Sequence, residues 1–195
     1  SALSYTDRKK RANTYDRIIR NQGIAYQRMG QIDKAKDIYN IMLANAEADA
    51  NPVAKALALN QLGVLNQLDG NYNKSAQFFN EALDLFKKHN PPGLVNTMLN
   101  LGTLYGRMDL IDKSNNILKE AAENAISFNQ PVLAARCYNN ISVNYRKVSK
   151  IDSSNIYLRK SLPIYQDNRN ALGLVNTYEN LSLNFLTDNN SDSCF

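Results

Sequence analysis

The sequence predicts an all-α protein, an α-solenoid of about four and a half helix–turn–helix units. Three observations predict it. A small residue followed three positions later by a larger one recurs at Gly23–Tyr26, Gly63–Asn66, Gly102–Tyr105, Ser142–Tyr145 and Ser182–Phe185, so the small reference residues lie 40, 39, 40 and 40 apart. Other columns keep the same register without adjustment. Glycine and proline are scarce, with 8 and 5 copies in 195 residues, which favours long helices over many short strands.

The first helix of each unit carries apolar residues four and one before the reference and three after it. In the third unit these are Met98, Leu101 and Tyr105, an i, i+3, i+7 stripe. A short turn follows, marked by Gly30, Gly70 or Asp109. The second helix begins near Ile32, Tyr72, Ile111 and Ile151. It carries a small residue at Ala35, Ser75, Ser114 and Ser154, and a large one at Tyr39, Phe79, Leu118 and Leu158. Small residues on both helices let two backbones approach closely, with the bulky Tyr/Phe column filling the space beside them. One unit cannot bury its own apolar face, so stacking supplies the core. Connections between units hold Asn51-Pro52, Asn90-Pro91-Pro92 and Gln130-Pro131, and Asn before Pro suits an N-cap and first helical position. Pro163 falls inside the fourth second helix, where it is either a tolerated bend near the helix end or a change of curvature. Gly-Leu-Val-Asn-Thr occurs verbatim at 93–97 and 173–177, two units apart.

These columns resemble the tetratricopeptide repeat family: its Leu-Gly-x-x-Tyr core, its later Ala, its Phe/Tyr and its second Ala. The resemblance covers about residues 12 to 187, with units at about 12–51, 52–91, 92–130, 131–170 and a partial 171–190, a single repeat domain. It implies a right-handed superhelix. The period of 40 rather than 34 implies longer second helices, and the family's proline at the end of the second helix is missing. Longer repeats of this sort are similar to those of peptide-binding scaffolds and of sensor regions in bacterial regulators.

Composition excludes much else. The hydrophobic fraction of 44% and charged fraction of 21% are ordinary for a soluble domain. No run of about 18 apolar residues encodes a membrane span. Net charge is +5, to which Arg8, Lys9, Lys10 and Arg11 contribute much, and a solvated helix start explains that cluster as well as an acidic partner does. Nucleic acid is not expected, because Tyr26, Tyr105 and Tyr145 sit at core positions. Cys137 and Cys194 make no disulfide framework and no metal spacing, and Cys137 reads as a buried thiol. The single histidine, His89, follows Lys87 and Lys88 at a helix end and suits a C-terminal helix cation better than a general base. No P-loop, Gly-x-Gly-x-x-Gly or His-Glu-x-x-His is present, so no catalytic residue, cofactor or metal is expected. Acidic residues such as Asp33, Asp69, Asp109, Asp112 and Asp152 fall at turns, where capping explains them. Asn-x-Ser sequons at Asn73, Asn140, Asn180 and Asn189 carry no weight without a secretory context. The compartment is open: cytoplasmic by default, periplasmic if a signal segment has been removed.

A second stripe on the first helix lies six and two before the reference, and one and five after. The column two before reads Asn21, Gln61, Asn100, Asn140 and Asn180, a carboxamide in all five units. Five after stand Arg28, Leu68, Arg107, Lys147 and Thr187. Six before stand Arg17, Leu57, Asn96, Arg136 and Asn176. In the family, part of this surface lines a concave groove. Amides both donate and accept, so they can satisfy a peptide backbone whatever its side chains, and Arg or Lys adds a preference for carboxylates. The candidate peptide-binding residues are therefore Arg17, Asn21, Arg28, Gln61, Asn96, Asn100, Arg107, Arg136, Asn140, Lys147 and Asn180. The competing reading is structural. Asparagine is about one residue in seven, and these amides could bond between units instead.

The partial last unit carries Tyr178, Leu181, Leu183, Phe185 and Leu186 without a second helix. Either it caps the stack, or the chain continues or pairs with another copy. The expected function is a non-catalytic scaffold that binds an extended, acidic or carboxylate-bearing peptide or protein segment. The alternative is a ligand- or partner-responsive regulatory segment of a larger signalling protein.

Overall fold

Each stretch with a 3.6-residue apolar period is a helix in the computed structural model. It describes the backbone of residues 2–192 and the side chains of residues 14, 15 and 17–187. Among the described residues the elements are α1 (Ala2–Arg28), α2 (Ile32–Ala48), α3 (Pro52–Leu68), α4 (Tyr72–His89), a 3-10 turn (Pro91–Gly93), α5 (Leu94–Arg107), α6 (Ile111–Ser127), α7 (Pro131–Lys147), α8 (Ile151–Asp167) and α9 (Ala171–Asp192). The second helices α2, α4, α6 and α8 start at the Ile/Tyr column. The basic cluster Arg8–Arg11, Asn189 and Cys194 lie outside the residues whose side chains are described.

The expectation of long second helices can be set beside the observed lengths. Helices α2, α6 and α8 are 17 residues each and α4 is 18; of the first helices, α3 and α7 also have 17 and α5 has 14. The capping expectation holds at one proline site only. Asn51 Oδ1 accepts the Ala54 N–H at 3.1 Å, ahead of Pro52 at the first turn of α3. Asn90 caps nothing through its side chain; Pro91-Pro92-Gly93 forms the 3-10 turn, and α5 starts only at Leu94. Gln130 also gives no side-chain cap.

Helix ends share one device. From α1 to α8, except after α4, the second residue past the helix takes positive φ: Gly30 at 72°, Gly70 at 77°, Asp109 at 58° and Ser149 at 58° within pairs, and Ala50, Asn129 and Arg169 between them. The next N–H then reaches five residues back, as in Gln31 N to Tyr26 O at 2.9 Å and Lys150 N to Tyr145 O at 2.9 Å. This closes the carbonyls that the last turn leaves open.

Close approach within pairs comes from the reference glycines. A Cβ on Gly23 would sit 2.6 Å from the Tyr39 ring, one on Gly63 2.6 Å from Phe79, and one on Gly102 2.6 Å from Leu118. The residue sixteen positions on thus fills the gap. Ser75 and Ser114 hydroxyls donate to the Gly63 and Gly102 carbonyls at 2.7 and 2.6 Å, which explains the small polar column.

The helices form two compact units, residues 1–94 and 95–195. In the first, Ile19, Ala35, Tyr39, Met42, Ala58, Leu62 and Leu65 make one buried cluster, and Ala56, Leu59, Ala82 and Phe86 another. In the second, Leu101, Leu118, Ile141, Leu158 and Cys137 are buried. Burial pushes the Cys137 thiol from an ordinary 9 to about 12, so it is inert at neutral pH. Helix α8 continues four residues past the exposed Pro163, close enough to its end for the missing N–H to be tolerated. His89 is the last residue of α4, behind Lys87 and Lys88. Among the described residues no helix is long and apolar enough to cross a membrane.

Candidate functional site

In the second unit, the first-helix stripe produces a cleft of about 290 Å³ between α7 and α9, lined by Arg136, Asn140, Val143, Asn176, Glu179 and Asn180, with Asn139 and Tyr165. Three of the sequence-predicted residues meet here: Arg136, Asn140 and Asn180. The structure also gives two of these amides inter-helix bonds. Asn140 Nδ2 donates to Thr103 Oγ1 on α5 at 3.0 Å. Arg146 donates to Asn180 Oδ1 at 3.0 Å, and to Asn184 Oδ1 at 3.4 Å. For these two amides the bonds between helices are the structural reading. The first bond uses the donor half of Asn140 and leaves its carbonyl oxygen. The second uses the acceptor half of Asn180 and leaves its NH₂. Arg146 is half-buried among amides, and loss of solvation pulls its pKa down.

In the first unit, Arg17 and Arg20 line a cleft of about 310 Å³ over Met42, Val53 and Leu57. The Arg20 Nε is buried and has no hydrogen-bond partner among the described residues. An orphaned buried donor of this kind is costly. The other candidates lie elsewhere. Asn21 and Arg28 are exposed on α1, and Gln61 is half-buried on α3. On α5, Asn96 and Arg107 are exposed and Asn100 is half-buried. They line neither cleft. Lys147 is engaged in a structural role, donating to the Gly106 carbonyl at 2.7 Å and to Asp109 Oδ1 at 3.0 Å, where it tops the end of α5.

Sequence reasoning missed Arg20, Asn139 and Glu179. They form one column three before the reference, Arg20, Asn60, Leu99, Asn139 and Glu179, polar in four units of five. That column was a legible signal, since three before lies one turn from the column six before, which holds Arg17 and Arg136. Asn139 is buried and its amide is spent on Thr177 at 2.9 Å. Glu179 places a carboxylate in the same cleft as Arg136. The two clefts therefore differ: arginines over an apolar floor in one, amides with mixed charge in the other. Among the described residues no cluster of His, Cys, Asp or Glu could hold a metal ion.

Comparison with known proteins places this architecture. The Tetratricopeptide repeat family model matches residues 12–88 and 55–127. No curated protein matches the chain. Among solved structures, BtubC (BKLC) from P. vanneervenii is similar with a TM-score of 0.80 at 20% identity, covering 96% of this chain and 78% of that one. A Rap protein complexed with Competence and Sporulation Factor has a TM-score of 0.76 at 16% identity, covering 90% of this chain and 49% of that one. A signal transduction ATPase with numerous domains and a tetratricopeptide repeat sensor, from Pyrococcus horikoshii, has a TM-score of 0.73 at 16% identity, covering 88% of this chain and 27% of that one. This chain thus spans about half and about a quarter of the last two.

Proposed function

This chain belongs to the tetratricopeptide repeat family, a family of protein–protein interaction modules, and we propose that it is a non-catalytic scaffold holding an extended peptide segment of a partner. The observation that carries this reading is the α7–α9 cleft. Asn140 offers an acceptor and Asn180 a donor on opposite walls, as a peptide backbone requires, and Arg136 stands beside them for a carboxylate or carbonyl. Glu179 tempers any acidic preference there. The preference for a carboxylate belongs to the first unit, where Arg17 and Arg20 face a cleft with no acidic lining residue. That the structurally similar Rap protein is complexed with Competence and Sporulation Factor supports a fold of this kind accommodating such a partner.

A displayed random-peptide library selected on the protein supplies ligands, and calorimetry then ranks them. The double variant Asn140→Ala plus Asn180→Ala should weaken ligands of the second unit by about tenfold or more, the cost of roughly one or two hydrogen bonds. Arg17→Ala plus Arg20→Ala should act on acid-bearing ligands and be mimicked by added salt. Affinity unchanged by either double variant for every selected ligand rejects the proposal.

The second reading, a responsive segment of a larger regulatory protein, is supported by the similarity to a tetratricopeptide repeat sensor within a much longer signal transduction ATPase. Fusion of a ligand-dependent reporter to both ends would show whether a selected peptide changes the end-to-end distance. A distance that ignores saturating peptide counts against it.

A further inference from the structure

We propose that the cleft over Asn66, between α2 and the start of α4, binds a tyrosine side chain of a partner segment, its ring stacked on Phe78 and beneath Lys74. The repeat register shows what the second repeat lacks. Three after the reference, the other repeats carry a ring, Tyr26, Tyr105, Tyr145 and Phe185, where the second has Asn66. Eleven after it, the first three repeats carry Lys34, Lys74 and Lys113. Where the ring is present the lysine lies over it. Lys34 Nζ is 5.7 Å from the Tyr26 centroid, and Lys113 Nζ is 4.2 Å from that of Tyr105. The second repeat keeps the lysine without that ring, and Lys74 Nζ lies over Phe78 instead, at 5.8 Å. Fifteen after the reference, repeats one and three have Ile38 and Ile117, whereas two and four have Phe78 and Tyr157. In the fourth, Tyr145 stacks on Tyr157 with centroids 5.6 Å apart at 21°. The second repeat thus has the stacking surface of the fourth and the cation of the first and third. The ring that both would hold is missing.

A cleft of about 630 Å³ opens there, about twice either cleft described above. Leu62, Asn66, Lys74 and Phe78 line it, with Lys36 and Asn40 on the α2 side. It shares no residue with the two peptide clefts. Its size falls in the range of ligand sites and admits a ring with its flanking backbone. No acidic side chain lines it. Lys36 is paired with Asp69, so the cation on offer is Lys74, which is exposed. A ring between Phe78 and Lys74 gains a stacked face and a cation face, which favours an aromatic side chain over an aliphatic one. Asn66 is buried, and its amide donates to the Leu62 carbonyl at 2.8 Å, which leaves its oxygen as an acceptor. A phenol hydroxyl supplies the matching donor, so tyrosine fits better than phenylalanine. Asn40, Asn71 and Asn73 are exposed amides around the cleft, suited to the backbone on either side of that tyrosine.

The test uses a capped glycine peptide with one central 3-fluorotyrosine, its fluorine signal followed by NMR as the whole chain is added. The signal should shift and saturate. N66Y, which puts the ring of the other repeats into the cleft, should abolish the shift, and K74A should weaken binding about two- to fivefold. A peptide with leucine in place of the tyrosine should compete about fivefold less well. Thermal unfolding should show N66Y no less stable than the parent, because the fourth repeat holds two rings at these positions. Should N66Y fail to fold, K74A and the leucine peptide still decide, since Lys74 is exposed and the peptide change leaves the protein untouched. Absence of a saturable shift overturns the proposal, as do binding indifferent to N66Y or K74A and equal competition by the leucine peptide. So does loss of the shift in R17A plus R20A or in N140A plus N180A, since the probe would then occupy a peptide cleft.

Discussion

Residues 65 and 144 hold the same place in the repeat, two after the reference, yet they join neighbouring pairs by opposite means. In the first unit Leu65 enters an apolar cluster with Ala35 of the preceding second helix. In the second unit Asn144 is buried and donates to Ser114 Oγ at 2.7 Å and Asn115 Oδ1 at 2.8 Å. The next seam repeats the arrangement: Asn184 donates to Ser154 Oγ and Asn155 Oδ1, both at 2.8 Å. The backbone pattern is unchanged between the two solutions. Stacking therefore needs a filled seam rather than an apolar one. The polar seam adds direction, because a hydrogen bond holds one register where methyl groups tolerate several. It also shapes the neighbouring helix α5. Asn144 Oδ1 lies 2.6 Å from where a Cβ on Gly106 would stand, so Gly106 is small to admit it, and Lys147 reaches the Gly106 carbonyl one turn on.

The largest expected effect comes from forcing one seam into the other's chemistry halfway. Leu65→Asn removes a fully buried leucine and leaves an amide facing Ala35, which should cost about 3–5 kcal/mol in urea unfolding. Adding Ala35→Ser should return part of it by giving the amide an acceptor. If the pair is no better than the single change, the seams are not interchangeable modules.

Next is the reverse change. Asn144→Leu strands Asn115 Oδ1, buried on α6, and should cost about 1–3 kcal/mol. Replacing Ser114 by alanine at the same time should not worsen it in proportion, because the two share one network.

Alkaline pH should separate the units more gently. Burial raises Tyr39 in the first unit to about 12, and raises Tyr165 and Cys137 in the second to about 12. Their ordinary values are 10, 10 and 9. In each case the folded pKa lies above the unfolded one, so the stabilisation is complete below the unfolded value and is lost as pH climbs to the folded one. Loss begins near pH 9 in the second unit, through Cys137, and near pH 10 in the first. Hydrogen exchange between pH 9 and 11, corrected for intrinsic rates, should show the second unit opening first. Cys137→Ala should bring the two onsets together.

The smallest effect belongs to the surface. Lys147→Ala breaks an ion pair whose aspartate is 80% exposed, and should shift stability by under about 1 kcal/mol.

Much of this was readable beforehand. The forty-residue register fixed the pairs, the turns at Gly30, Gly70 and Asp109, and the buried thiol of Cys137, since each follows from local periodicity. The seams were not readable. Ser114 and Ser154 registered only as small, and nothing local says that an asparagine thirty residues later will bond them. The site was half legible. A helical stripe names the residues that share a face, and so found Arg136, Asn140 and Asn180. Whether a face opens into a cleft depends on the neighbouring helix, which is why Arg20 was missed and why Lys147 lines neither cleft.

The most direct test follows asparagine side-chain amides by NMR while a selected peptide is titrated into the protein. The account predicts that the amides of Asn140, Asn176 and Asn180 shift and saturate together, while buried Asn144 and Asn184 stay fixed. Saturable binding that leaves those three cleft amides unmoved would contradict it.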